Sequence, residues 1–209
     1  MKKSIILLVI FSIAFISCKK DKKTDPTPTP VVKDFDYIKV GASWVYNTFD
    51  SDPHHQGIIY EQTFTVKTKD ADGWCTVDWT LPGYTYQLEW FADVTMFSNM
   101  ASKAQQMKFP LIKANPVIND TYSITYKNDT MNVTDTRVVK SLTESITVPA
   151  GSYTNCVKIH ETTSADTVYY KDYWIDKNIG IVRTEGTTRE DYPIIIFEEL
   201  KTRTAPITF

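Results

Sequence analysis

Several things are scarce in this chain. Its 209 residues hold only seven glycines, none in a loop of the kind that cradles a phosphate, and no serine stands in a nucleophile-elbow context. Neither sign of charge dominates: lysine plus arginine (23) nearly balance aspartate plus glutamate (25), so no basic face for a nucleic-acid backbone is expected. The longest apolar run, Ile5 to Ile16, covers about 12 residues, whereas a helix needs roughly 20 to span a bilayer. These absences point away from nucleic-acid binding, from a permanent transmembrane helix and from catalysis. The expectation is a non-enzyme without a cofactor.

Aromatic residues, by contrast, are plentiful. Twelve tyrosines, ten phenylalanines and five tryptophans, in a chain that is 42% hydrophobic, suit pleated, half-buried surfaces better than helices. From Phe35 onward, turn residues punctuate runs of strand-formers. Asp72-Gly73 reads as a type I′ turn joining Thr63 to Lys69 with Trp74 to Leu81. Pro82-Gly83 fits the centre of a type II turn leading into Tyr84 to Phe91. Six further strands are predicted: Tyr122 to Lys127, Asn132 to Thr147, Tyr153 to Thr163, Thr167 to Ile175, Ile179 to Gly186 and Ile194 to Arg203. Within the last, Ile194-Ile195-Ile196-Phe197 is apolar on both faces, which predicts a central position. The fold class expected is all-β or mainly β, an antiparallel meander forming a sandwich or curved half-barrel. One helix is a candidate near 98–108, where Met100, Ala101, Ala104 and Met107 fall at helical spacing after a capping Ser98.

The first residues have the anatomy of an export signal. Met1 to Lys3 are basic, Ile5 to Ile16 apolar, and Ser17 is a small residue directly before Cys18. Phe15-Ile16-Ser17-Cys18 resembles the lipobox of bacterial lipoproteins in the loose form of the Bacteroidetes; it departs from the usual pattern at Phe15, where Leu is commoner. The resemblance implies a diacylglyceryl thioether on Cys18, cleavage before it, and anchorage to the outer membrane, with the lipid bilayer as partner. A thiolate is the nucleophile such chemistry requires. Two or three acyl chains hold stably where one is marginal, each buried methylene contributing about 0.8 kcal/mol. Residues 1–17 are thus read as signal peptide. Residues 18–34, rich in Lys, Thr and Pro, cannot bury apolar surface and are read as an extended tether able to reach on the order of 50 Å. Residues 35–209 are read as one β-rich domain. The lysines after Cys18 leave open which side of the membrane the domain faces.

A second resemblance rests on Gly41-Ala42-Ser43-Trp44-Val45-Tyr46, on Val148-Pro149-Ala150-Gly151, and on Gly180-Ile181-Val182. Together they are similar to a pattern in uncharacterised β-rich lipoproteins of the Bacteroidetes type and cover most of Phe35 to Thr204. Fragments of it also resemble the open half-barrel of periplasmic lipoprotein carriers. No activity comes with either likeness. Phe109-Pro110-Leu111 followed by Tyr122 echoes Tyr37-Ile38 followed by Trp44; two similar halves or chance would each produce it.

Few residues could carry chemistry. Asp50, Asp52, His54 and His55 share a short loop with the donor types a divalent metal prefers, though adjacent histidines cannot both point inward on a strand, and a solvated loop accounts for them. His160 and Glu161 are neighbours on one strand, so their side chains should diverge. Alternation puts Cys75 on an apolar face with Val77 and Trp79, and Cys156 on a polar face with Lys158; an exported protein permits a bridge between them, and two packed thiols are the other reading. Trp74, Trp79, Trp90, Tyr170 and Trp174 are the candidate ligand-binding residues, able to line an apolar cavity or stack on sugar rings if exposed, and simply core if buried. Asp129-Thr130-Met131 and Asp166-Thr167-Val168 resemble the O-glycosylation acceptor of Bacteroidetes envelope proteins. The reading that follows is a membrane-anchored, non-catalytic envelope lipoprotein that binds or carries an apolar ligand. A glycan-binding accessory lipoprotein is the alternative, and metal-dependent hydrolysis at His54 and His55 a third.

Overall fold

The computed structural model describes residues 35–52, 57–128, 131–187 and 195–204, apart from the side chains of 128 and 166–168, within a compact unit spanning Lys33 to Phe209. The elements are β1 (Ser43–Asp50), β2 (Tyr60–Lys69), β3 (Trp74–Leu81), β4 (Tyr84–Ala92), β5 (Met96–Ser98), β6 (Met100–Ser102), β7 (Met107–Phe109), β8 (Ile112–Lys113), β9 (Thr121–Asn128), β10 (Met131–Val148), β11 (Gly151–Thr163), β12 (Asp166–Asp176), β13 (Gly180–Thr187) and β14 (Ile195–Thr204). No helix occurs among the described residues. Twelve strands make one antiparallel sheet in the order β8-β5-β4-β3-β2-β1-β14-β13-β12-β11-β10-β9, and β6-β7 form a separate hairpin. The sheet is open rather than a closed barrel, since β8 and β9 are its two edges. The all-β expectation holds. Its strand β14, apolar on both faces at its start, does lie centrally, between β1 and β13.

Turn chemistry explains most of the hairpins, with two corrections. Gly83 adopts φ 82°, as the second central position of a type II turn requires, and registers Leu81 opposite Tyr84. The connection at Asp72-Gly73 is not a two-residue type I′ turn. Asp70 to Gly73 form a four-residue loop in which the Asp70 carboxylate accepts from the amides of Asp72 (3.0 Å) and Trp74 (2.9 Å), and of these four residues only Gly73 has positive φ (96°). The second correction concerns the helix expected at 98–108, which is instead the β6-β7 hairpin. Ser98 does not cap a helix; its hydroxyl oxygen lies 2.6 Å from the Met100 carbonyl and 2.7 Å from that of Phe109, so its one hydrogen is shared between them and ties the two ends of the hairpin together. Phe109 is fully buried in the sheet's core, which outweighs the helical spacing of the methionines.

The echo between halves has a backbone counterpart. Gly41 N–H donates to Val66 C=O and Val66 N–H to Ala42 C=O; likewise Asn119 N–H donates to Val139 C=O and Val139 N–H to Asp120 C=O. Gly41 (φ 86°) and Asn119 (φ 71°) take the same left-handed conformation just before β1 and β9.

One face of the sheet is the inner one, and its lower part is the core. Trp44, Val66, Val77, Val139, Val157, Ile159, Ile175, Val182 and Leu200 point there from eight strands, each buried side chain of this kind contributing roughly 1.5–3 kcal/mol. Phe35, Tyr37 and Ile38 plug this end from the segment before β1, with Phe97 packed edge-on against Tyr37 at 6.4 Å. The long β10-β11 hairpin is bent by three register shifts, between Val139 and Ile146, and its tip reaches β14, where Ala150 N–H donates to Leu200 C=O. That bend overturns the alternation expected around Cys156. Asn155 sits at φ 60°, and Cys156 and Val157 are both buried in succession, so the thiol lies in the core rather than beside Lys158 on a polar face. Cys75 and Cys156 are free thiols, each pushed by burial up to about 11.

Candidate functional site

Above this core the inner face opens into a cup of about 260 Å³. Curvature is what assembles it: on a concave surface, side chains from strands separated by one neighbour come within reach. Gln62 of β2 thus meets Glu198 of β14 across β1, donating from Nε2 to Oε1 at 2.6 Å. Tyr46 of β1 likewise crosses β14, its hydroxyl donating to Ile181 C=O at 2.8 Å.

One wall is aromatic. Phe64 and Trp79, opposite each other on β2 and β3, stack with parallel rings 6.0 Å apart, and Trp90 and Tyr46 pack on Phe64 at 5.7 and 5.9 Å. Leu88 completes this side. The facing wall is polar. Glu198 accepts from Thr184 Oγ1 at 2.6 Å, and Lys171 Nζ lies 3.4 Å from Glu198 Oε2. Gln62 joins the two walls, since its Oε1 accepts from the Trp79 indole N–H at 2.7 Å, which fixes both the amide and the indole plane. Burial pushes the Glu198 carboxyl up, but the Lys171 charge and the bonds from Thr184 and Gln62 outweigh it and hold the group below the usual carboxylate range. Burial lowers Lys171, yet the Glu198 charge more than compensates and leaves it above the ordinary lysine value. The pair is therefore ionised and neutral overall. Asn99, between β5 and β6, contributes a buried Oδ1 that meets no donor among the described residues.

Tyr173 links the cup to a second polar cluster. Its hydroxyl donates to Glu161 Oε2 at 3.0 Å, and burial pushes it far above the ordinary tyrosine value. Glu161 also accepts from Arg137 Nε at 2.6 Å, with side-chain exposures of 0% for the arginine and 4% for the glutamate. The β6-β7 hairpin seals this pair, for the guanidinium donates to Phe109 C=O at 3.2 Å and lies 3.9 Å from the centre of the Phe109 ring.

The five aromatic residues singled out in the sequence divide between two faces. Trp79 and Trp90 line the cup. Trp74 packs against Phe91 at 5.2 Å on the outer face, Tyr170 stacks on His160 at 6.0 Å, and Trp174 is buried there between Lys158 (4.6 Å) and Arg183 (5.5 Å). Those three form no common platform with the cup. His160 and Glu161 do diverge: His160 pairs outward with Asp172 at 2.6 Å while Glu161 faces Arg137. His54, His55, Cys18 and Thr130 lie outside the described residues, as does the side chain of Thr167. Among the described residues, no group of three metal-ligating side chains is present. Sequence reasoning passed over Gln62, Lys171 and Glu198. A signal for them existed, because period-2 alternation puts each on the face shared with apolar residues: Gln62 with Phe64 and Val66, Lys171 with Tyr173, Glu198 with Leu200.

The DUF3108-like family model matches residues 91–192. No curated protein matches the chain. Among solved structures, a "putative exported protein with YmcC-like fold" from Bacteroides fragilis superposes with a TM-score of 0.53 at 16% identity, covering 79% of this chain and 96% of that one. A "putative lipoprotein" from Parabacteroides distasonis gives 0.50 at 18% identity, over 82% and 99% respectively. Likeness at these identities is a likeness of fold alone.

Proposed function

We propose that this chain is an exported, lipid-anchored binding protein of the cell envelope, and that the cup is where it holds its ligand without transforming it. The observation that carries the reading is the preorganised pair of walls, one aromatic and one hydrogen-bonding, that line the cup on the inner face. Such a combination, mostly apolar lining with a few fixed polar groups, is what small-ligand sites are made of. Glu198 is the one carboxylate lining the cup among the described residues. Its oxygens are engaged by Gln62, Thr184 and Lys171, and it is held ionised, whereas a general acid needs its proton near neutral pH. The anchor rests on the resemblance at Cys18, and the likeness in fold to exported proteins supports it.

The volume, at the small end of ligand cavities, favours a compact ligand over a long acyl chain. Directly below, Trp44, Trp90 and Phe97 fill the core and leave room for only about 10 Å³. Purification of the native protein from membranes tests both parts. The expected results are an acylated Cys18 in the intact mass, a shift to the soluble fraction for Cys18→Ser, and a small molecule released from wild type but not from Trp79→Ala. An unmodified amino end, or identical empty spectra from both proteins together with no change in tryptophan emission on titration with envelope extract, would overturn the corresponding part.

A further inference from the structure

The polarity of the cup restricts what it can hold, and from it we infer that the ligand is a neutral sugar ring, a hexopyranose unit seated with its C–H face on the Phe64–Trp79 wall and its hydroxyls on Asn99, Lys171 and Glu198. The inference rests on the reading of the cup as the binding site. Charge comes first. Lys171 and Glu198 are mutually neutralised, so an anionic or cationic ligand would have to compete with an ion pair whose carboxylate is also bonded by Gln62 and Thr184. A neutral ligand adds hydrogen bonds without breaking that pair.

Hydrogen-bonding capacity comes second. Among the described residues Lys171 has three donor hydrogens and a single acceptor partner in Glu198, while Asn99 Oδ1 is a buried acceptor that no donor meets. The cup therefore presents spare donors and a spare acceptor together, which suits hydroxyl groups, since each hydroxyl both gives and takes. A hydrocarbon chain would leave all of these unmet. Third is the aromatic wall. Phe64 and Trp79, locked against each other and by the Trp79–Gln62 bond, present a fixed apolar surface on which the C–H groups that a pyranose displays on one side can pack. Size agrees, because about 260 Å³ suits one ring with its substituents rather than an extended oligomer. A longer glycan would enter by one terminal or branch residue.

The full-length protein, held in a detergent without a sugar headgroup, is titrated with methyl glucoside, galactoside, mannoside and N-acetylglucosaminide. Tryptophan emission reports on Trp79 and Trp90. At least one glycoside is expected to give a saturable change, weakened about tenfold or more in Lys171→Met and in Trp79→Ala. Asn99→Ala breaks no bond within the described protein and should keep its melting temperature, yet it should weaken binding severalfold. Trp174→Phe, on the outer face, should bind as wild type does. Octanol and adenosine serve as rival probes. If either saturates the cup while the glycosides do not, the sugar assignment fails and the binding-site reading stands; if no probe binds, both fail. Binding unaffected by Asn99→Ala, Lys171→Met and Trp79→Ala alike would place the sugar elsewhere and overturn the inference.

Discussion

Arg137 shows what a single residue costs when its surroundings are dry. The guanidinium is fully buried, and three of its contacts lie on elements distant in sequence: Glu161, the Phe109 carbonyl and the Met100 sulfur at 3.4 Å. Removing one partner of a buried ion pair strands the other, typically at about 3–5 kcal/mol, whereas removing both together is far cheaper. Urea denaturation of Arg137→Met should accordingly show a loss of about that size, and Arg137→Met with Glu161→Leu should recover a substantial part of it. A double variant no more stable than the single one would mean that Tyr169 and Tyr173, rather than Arg137, hold the glutamate in place. At this scale the sequence was only partly legible. Arg137 was hidden because long charged side chains on a strand are usually read as its solvent face, and nothing local in the sequence reveals that a distant hairpin will cover one of them.

Among the elements, the strands themselves were the most legible part. Residues 151–163, 166–176 and 180–187 fall within one or two residues of the predicted bounds at nearly every end, because hairpin turns are written in short-range chemistry. Hairpin 100–109 was illegible for the opposite reason: its fate is decided by Phe109 in the core and by Ser98 bridging two carbonyls, both tertiary facts. The turns also allow a paired test. At Gly73 an added Cβ would stand 2.7 Å from the Ala92 carbonyl oxygen, while at Gly83 it meets nothing within 4 Å. Both carry positive φ, so each alanine variant bears the left-handed penalty of about 1–2 kcal/mol. Gly73→Ala should lose clearly more than Gly83→Ala in thermal melts, and equal losses would show that the close approach of β4 to the loop is not rigid.

Taken whole, the domain should be most stable between the carboxylate range and the onset of thiol ionisation. Glu198 is depressed in the folded state, as are Asp70 through its hydrogen bond from Lys103, and Asp93, where bonds from Thr95 and Met96 overcome burial. Each contributes stability that is present above its unfolded value, near 4 for such groups, and is lost as pH falls through the folded one. Cys75 and Cys156 are raised, so their contribution is complete below about 8.5 and is lost as pH climbs toward about 11, with Lys171 and the buried Tyr46 and Tyr173 following at higher pH. Melting temperature against pH should trace a plateau with two falling limbs, and Glu198→Gln should flatten the acid one; an unchanged acid slope would assign that limb to the aspartates. Finally, a sheet that does not close must end somewhere, and here it ends unequally, in the two residues of β8 on one side and the eight of β9 on the other. A free ladder of that length is a template for self-addition, the route by which all-β proteins precipitate; hydroxyl and lysine side chains along Thr121–Asn128 temper that hazard without removing it. Crowding along a membrane, where the proposed anchor would hold the chain, would press this margin hardest.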